Sequence, residues 1–381
     1  MTPIFQSNSC HKYDTTDYYQ IDPSFGTTED LKELVQKAHE RGMKVVLDAV
    51  YNHTGREFFA FADILENGEK SKYRDWYFID GFPLKSEWGE IPNFKCFGYY
   101  GGMPKLNLKN PEVEKYITDV ACYWIKECDI DGWRLDVGDE ISHFFWKNFR
   151  KAVKAVKKDM LIIGEIWHYA GDFLEGDEWD TVMNYPFYLN LIDLLADEKI
   201  TVSQFVQNLG YLKGRLHKNC YPLMWNLIDS HDTARFLHLC NDNKKKQHLA
   251  AAFQLLLPGM PMIYYGDEYA MPGANDPDCR RGMYWDEEYQ DKEMYEWYKR
   301  LIQVRKSHAC IVEGELAGSV TEDEEGTIVL IRKNGEETIA MIFNCSSSAK
   351  KFNEYTQKYN LLTENTFDGN VEGFDAAVIV L

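Results

Sequence analysis

The sequence predicts an α/β fold, a parallel sheet closing into a barrel wrapped by helices, with a small antiparallel β domain after it. Three observations carry that prediction. Short apolar runs end in acids: GWRLDVGDE (132–140), LIIGEIW (161–167) and MWNLIDSHD (224–232), each with the length and apolar continuity of a strand buried on both faces. Helical and strand-like segments alternate through roughly the first 310 residues, the pattern of βα units around a parallel sheet. Beyond that point, β-rich runs take over.

Taken in order, TPIF at the front reads as the last residues of a strand. DLKELVQKAHER (30–41) repeats apolar positions at helical spacing and stops at Gly42, a helix end with its usual glycine. MKVVLDAVYNH follows as a strand over about 43–50. Further helices are expected at 111–128, 142–158, 203–216, 244–256 and 291–306, and strands near 132–137, 161–166, 181–185, 224–229 and 262–267. Residues 54–110 far exceed an ordinary βα loop, so they read as a functional insertion. With Trp76, Trp88 and GYYGGMPKLN, this insertion is expected to wall the site. In GTIVLIRKNGEETIAMIFNCS two β runs flank Asn334-Gly335, a hairpin signal, and the chain ends in AAVIVL. The expected division is a catalytic barrel over 1–310, including the 54–110 insertion, and a C-terminal β-sandwich domain over 311–381.

Composition narrows the function. The chain carries 42 basic and 61 acidic side chains, a net charge of −19, which disfavours nucleic acid and anionic membrane as partners. A neutral ligand fits better, and 10 Trp and 24 Tyr supply flat apolar faces, although most such residues serve as ordinary core. The nine cysteines form an odd, irregularly spaced set, the usage of reduced thiols in a cytoplasmic setting. No apolar span reaches the roughly 18 residues a membrane helix needs. The first residues, MTPIFQSNSCHKYD, lack the basic start and apolar stretch of a signal peptide.

The acids at the strand ends suggest acetal chemistry. Active groups of barrel enzymes collect at the carboxyl ends of the strands. Asp136 and Glu165 end consecutive strands, which lie about 4.8 Å apart, so their carboxyls can stand about 5–5.5 Å apart, as in retaining glycosidases. Asp136 is expected as nucleophile, because Arg134 faces the same side of its strand and would keep it ionised. Glu165 has no basic neighbour in sequence, and ionised Asp136 should keep it protonated as the acid catalyst. Asp232, preceded by His231, is a candidate to stabilise positive charge on the sugar. Singly, each acid reads as a helix cap or solvated rim residue, and Arg134 with Asp136 as a structural ion pair. Their conjunction points to chemistry.

The motifs DAVYNH (48–53), GWRLDVGDE (132–140), GEIW (164–167) and LIDSHD (227–232) resemble the conserved regions of the alpha-amylase family of glycoside hydrolases. HKYDTTDY (11–18), MNYPF (183–187) and PGMPMIYYGDE (258–268) extend the likeness over essentially the whole chain. MPKLN (103–107) resembles the mark of the neopullulanase, cyclomaltodextrinase and maltogenic amylase subgroup. The resemblance implies a (β/α)8 TIM-type barrel and a retaining hydrolase of α-1,4 and some α-1,6 bonds in cyclomaltodextrins, pullulan or maltooligosaccharides, with some transglycosylation. By it, Asp136 is nucleophile, Glu165 acid/base and Asp232 transition-state stabiliser. His53, Arg134 and His231 match residues holding the sugar being cleaved, with Asp48 supporting the arginine. Tyr13 matches a residue stacking on that sugar, Asp276 and Arg280 match contacts to the next one, and Trp167 and Glu140 match the acceptor flank. Tyr13 also fits a core role, and Asp276 with Arg280 a loop salt bridge.

No cofactor is implied. Asn52 matches a calcium ligand of many amylases, but the subgroup often lacks that site and no compact acidic loop is present, so no metal ligand is assigned and a structural calcium stays open. The expected partner is an α-glucan or cyclodextrin substrate, with a homodimer left open. Relatives of the subgroup carry a β domain and two barrel strands before the TPIF segment. The first barrel strands are therefore expected to be missing or incomplete here, through a fragment record (the favoured reading), strands lent by another chain, or an inactive remnant. On that reading the chain alone is poorly stable and weakly active. Asp229 is expected to be hydrogen-bonded at its strand end and catalytically silent. Two rivals remain: an α-glucosidase or oligo-1,6-glucosidase, against which MPKLN argues, and a truncated glucan-binding barrel, against which the three intact acids argue.

Overall fold

The computed structural model describes residues 1–85, 91–217 and 219–381, which leaves Trp88 of the expected wall outside the described residues. The chain divides into two compact units, Met1–Ile166 with Ala170–Val182, and Trp167–Tyr169 with Met183–Leu381.

The first unit opens with an antiparallel ribbon, β1 (Phe5–Ser7) against β2 (Thr15–Ile21). TPIF therefore differs from expectation. Residues 1–4 lie outside regular structure, although the Met1 amino group bonds the Val46 carbonyl at 2.9 Å, and Phe5 turns away to pair with β2. Helix α1 (Thr28–Glu40) starts at a reciprocal capping box between Thr27 and Asp30 and leads to β3 (Val46–Ala49). After α2 (Phe59–Asn67) comes α3 (Pro111–Cys128), which begins where the Asn110 side chain caps the Glu112 N–H and proline takes the first turn. Then follow β4 (Gly132–Leu135), α4 (His143–Val156), β5 (Leu161–Gly164) and β6 (Thr181–Val182).

Strands β3, β4, β5 and β6 hydrogen-bond in that order, all parallel. Asp48 is level with Arg134, and Arg134 with Ile163. Aromatic rings fasten the ribbon to this sheet. The Trp124 indole donates to Tyr18 O at 2.8 Å, while the Tyr18 hydroxyl donates to Val50 O at 2.6 Å and His53 O at 3.0 Å. The insertion folds back onto the end of β3, where His53 bridges to Lys105 and stacks on Phe97 with ring centroids 5.0 Å apart.

The second unit holds α5 (Tyr185–Leu195), α6 (Val202–Arg215), β7 (Trp225–Asn226), α7 (Phe236–Leu239), α8 (Lys244–Leu256), β8 (Met260–Pro261), α9 (Lys292–Ser307) and α10 (Ala309–Glu313). Strands β7 and β8 are parallel but only two residues long. The strand expected over 262–267 is a correction: β8 pairs at Met260–Pro261, and Gly266, at φ +91°, turns the backbone out of any ladder.

The tail forms β9 (Glu315–Glu322), β10 (Thr327–Asn334), β11 (Glu337–Asn344), β12 (Lys350–Lys351), β13 (Tyr359–Asn360), β14 (Asn365–Thr366), β15 (Asn370–Val371) and β16 (Asp375–Val380). The main antiparallel sheet runs β14-β13-β16-β11-β10-β9, with β12-β15 as a second pair. The expected hairpin is present. Its partners Asn334 and Glu337 leave Gly335 and Glu336 as the loop, with Gly335 at φ +60°. One sheet face joins helices α8 and α9 in a core that includes Phe253, Leu301, Ile339, Met341 and Phe343, and the other packs Val329, Ile342 and Ile379 against Phe352 and Phe367. Among the described residues, no helix is long and apolar enough to cross a membrane.

Candidate active site

The first unit gathers its acids on one arginine. Parallel pairing continues one residue past the strands: Asp136 N donates to Ala49 O at 3.1 Å and Glu165 N to Leu135 O at 3.0 Å. Each acid is thus the first residue beyond its strand, at the carboxyl end. Arg134, inside β4, sends Nη1 to Asp48 Oδ1 (2.9 Å), Asp48 Oδ2 (3.1 Å) and Asp136 Oδ1 (2.8 Å), while Nη2 lies 2.9 Å from Glu165 Oε2. Asp48, Arg134, Asp136 and Glu165 are all at most 7% exposed. One guanidinium therefore serves three buried carboxyls.

That sharing alters the expected electrostatics. Burial pushes the Asp136 carboxyl well above the ordinary range; Arg134 opposes the rise, while Asp48 and Glu165 add to it. Arg134 acts on Asp136 in the expected direction, favouring its charged form, while burial, Asp48 and Glu165 act against it. For Arg134 burial works against the charged form, but Asp48, Glu165, Tyr13 and Asp136 outweigh it and keep the guanidinium firmly protonated.

Two local features aim Glu165. Val137 sits at φ +47°, ψ +44°, a left-handed conformation costing a β-branched residue on the order of 1–3 kcal/mol. It brings the Val137 N–H to Glu165 Oε2 at 3.0 Å. Gly164, just before Glu165, lies against the Trp179 indole, which a Cβ at that position would strike. Neither feature is signalled by the motifs.

Other expected residues join this cluster. The Tyr13 hydroxyl donates to Asp48 Oδ2 at 3.0 Å, and His53 Nε2 lies 3.1 Å from Tyr13 O. Burial pushes the His53 imidazole down to about 4, so it is neutral and its ring N–H donates to that carbonyl. Glu140 meets a residue sequence reasoning passed over. Lys105 Nζ lies 2.7 Å from Glu140 Oε2, 3.2 Å from Glu140 O and 2.5 Å from Asn52 Oδ1, and Asn52 Nδ2 donates to Glu140 Oε2 at 3.1 Å. This network tests the calcium option. An ammonium occupies the oxygens that a cation at Asn52 would need, so the residues do not fit a metal there. The clue in the sequence was the lysine inside MPKLN.

The second unit assembles its own set. His231 Nε2 is 3.1 Å from Asp232 Oδ2; Arg280 Nη2 is 3.3 Å from Asp232 Oδ1; and Arg280 Nε reaches Asp276 Oδ1 at 3.1 Å and His231 O at 2.8 Å. Asp276, Arg280, Asp232 and His231 thus form one linked row. Asp229 accepts from Phe236 N at 2.7 Å, capping α7, as expected of a structural acid. Trp167 stacks on Tyr185 with centroids 3.9 Å apart and planes 14° apart.

Carboxyls at the carboxyl ends of neighbouring parallel strands, gripped by a buried arginine, form the kind of arrangement found in carboxylate-pair glycoside hydrolases. Comparison with known proteins agrees. The chain belongs to the alpha-amylase family, whose catalytic-domain model (Alpha amylase, catalytic domain) matches residues 1–292. A cyclomaltodextrinase of Geobacillus thermopakistaniensis is 48% identical over 349 residues, covering 92% of this chain and 59% of that protein. An intracellular maltogenic amylase of Bacillus subtilis is 44% identical over 345 residues, covering 90% and 58%. A solved cyclomaltodextrinase structure superposes with a TM-score of 0.94 at 39% identity, covering 99% of this chain and 67% of that one. The chain thus spans about three fifths of the length of these curated relatives. Family and structural likeness imply a TIM barrel with a C-terminal β domain.

Proposed function

We propose that the protein is a retaining α-glucan hydrolase acting on cyclomaltodextrins, pullulan or short maltooligosaccharides at α-1,4 and some α-1,6 bonds. The observation that carries this reading is the single guanidinium of Arg134 holding Asp48, Asp136 and Glu165. Asp136 attacks the anomeric carbon as Glu165 gives its proton to the departing glycosidic oxygen, leaving a glucosyl ester on Asp136. Glu165, now ionised, takes a proton from water, whose oxygen attacks that ester and frees the sugar with its configuration retained. An acceptor sugar in place of water gives transglycosylation. Arg134 and Asp48 orient the nucleophile, and Asp232, by its LIDSHD motif, stabilises the positive charge that develops on the ring.

The same reading gives the acceptor flank to Trp167 and Glu140, and the donor side to Tyr13, His53, His231, Asp276 and Arg280. It places the barrel in 1–310, with 54–110 as a wall, and the β domain in 311–381. A homodimer and a cytoplasmic setting are part of it, the latter supported by relatives named as intracellular. The test is hydrolysis of β-cyclodextrin, pullulan and starch, following product anomers by NMR. Release of the α-anomer first supports the proposal; release of the β-anomer, or no cleavage of any of the three, overturns it.

A further inference from the structure

A network in the first unit stands apart from the contacts assigned so far. The loop of residues 8–14 joins β1 to β2 and presents Tyr13. Lys12, the residue before it, stands at φ +68°, a left-handed backbone that an L side chain tolerates but does not favour. Its side chain turns inward, leaving the residue 9% exposed. There the ammonium lies 2.8 Å from Asp22 Oδ2 and donates to Ser7 O at 3.4 Å. Asp22 directly follows β2 and also accepts from Ser24 N at 3.0 Å and Ser7 N at 3.3 Å. Burial works to raise the Asp22 carboxyl, but Lys12, Ser24 and Ser7 outweigh it and bring it down to about 2.

Lys12 and Asp22 divide the work. Without the lysine, Asp22 keeps its two backbone donors, so the base of the ribbon stays pinned. What Lys12 adds is a tether on the loop. Its own N–H donates to Ser9 Oγ at 3.1 Å, and beyond Tyr13 the Ser7 and Ser9 hydroxyls both bond Asp14 Oδ1. The loop is thus tied on both sides of Tyr13. That residue passes the constraint on: its hydroxyl donates to Asp48 Oδ2 at 3.0 Å, Asp48 Oδ1 accepts from Arg134 at 2.9 Å, and its carbonyl lies 3.1 Å from His53 Nε2. A buried ion pair is weak evidence for stability, and its better-attested use is to select one conformation. We propose that Lys12, through Asp22, is a positioning residue that seats Tyr13 against Asp48, where its ring meets the sugar being cleaved. The inference rests on the hydrolase reading and extends it to a side chain that contacts Asp22 rather than the sugar.

Lys12→Met and Lys12→Gln remove the charge, and thermal melts on the full chain check that each variant folds like the parent. Each is expected to lower kcat/KM on maltotriose about tenfold, the scale of one charged hydrogen bond. The deciding comparison is the background. With Tyr13→Ala in place, Lys12→Met should change kcat/KM by less than about twofold, because the ring it seats is gone. An ion pair that only stabilises the fold costs the same factor in both backgrounds. Fluorotyrosine at position 13 reads the seat without substrate, and its fluorine NMR resonance is expected to move in both lysine variants. An equal loss in the two backgrounds, or a parent-like resonance in both lysine variants, overturns the proposal. So does unfolding of both variants at the assay temperature, since the pair would then hold the fold itself. A parent that cleaves neither maltotriose nor β-cyclodextrin overturns the hydrolase reading instead, and the fluorine resonance still decides whether Lys12 seats Tyr13.

Discussion

Replacing Arg134 by lysine keeps the charge and removes the fork. The guanidinium uses two nitrogens to reach three carboxyls, at 2.8 Å from Asp136, 2.9 and 3.1 Å from Asp48, and 2.9 Å from Glu165. One ammonium on a shorter stem leaves at least one of these acids without its donor. A hydrogen bond to a charged group is worth about 1.5–3 kcal/mol, which corresponds to roughly a 10- to 150-fold loss in kcat/KM. The pH profile separates geometry from charge. Arg134 lowers an Asp136 carboxyl that burial has raised, so Arg134→Lys should keep the acid limb near its original position. Arg134→Gln removes the positive charge, raises the pKa of the pair and moves the acid limb to higher pH. Initial rates on maltotriose between about pH 4 and 9 read both effects against the carboxylate range. An Arg134→Lys enzyme within roughly threefold of the parent, or an acid limb that stays put in Arg134→Gln, would refute the shared-guanidinium argument.

Gly164→Ala drives a methyl group into the Trp179 indole; overpacking of this kind costs about 1–3 kcal/mol, read as a lower urea midpoint together with a fall in kcat, and an unchanged midpoint would deny the close contact. Because Lys105 occupies Asn52 Oδ1 and Glu140, EDTA should leave activity and melting temperature unchanged, while Lys105→Ala should lower both; loss of activity in EDTA alone would show a metal the lysine was taken to replace. Burial raises both Asp229 and Asp267, and their mutual repulsion raises Asp267 further. A carboxyl whose folded pKa lies above the unfolded value of about 3.9 stabilises fully below that pH and loses the contribution as pH rises through the folded pKa. Asp229→Asn, neutral throughout, should flatten the fall in denaturation midpoint as pH rises, and parallel curves for variant and parent would contradict the assignment.

Much of this was legible because local signals agreed with the fold. The bounds of α3 and α8 were expected as found, with Asn110 and Pro111 marking the start of α3 and Asn243 that of α8. Helix α5 was missed. YPFYLNLIDLL buries residues nearly all round, so it lacks the polar stripe that announces a surface helix and reads like the strand expected to end at 185. The ribbon of β1 and β2 escaped notice because pairing between distant residues leaves no local period. In the site, acids at strand ends and the arginine two residues before Asp136 were readable from alternation alone. The sharing of that arginine by three carboxyls was not, because it depends on β3 and β5 lying level with β4. Lys105 meets Glu140 35 residues later in the chain, and the left-handed turn at Val137 opposes its own residue preference.

The most direct measurement is a covalent trap. An activated fluoroglucoside, slow to leave the enzyme, should label one residue, and peptide mapping by mass spectrometry should find the glycosyl group on Asp136. A label on Asp48, Glu165 or Asp232, or an unlabelled enzyme that still turns the substrate over, would contradict Asp136 as the nucleophile.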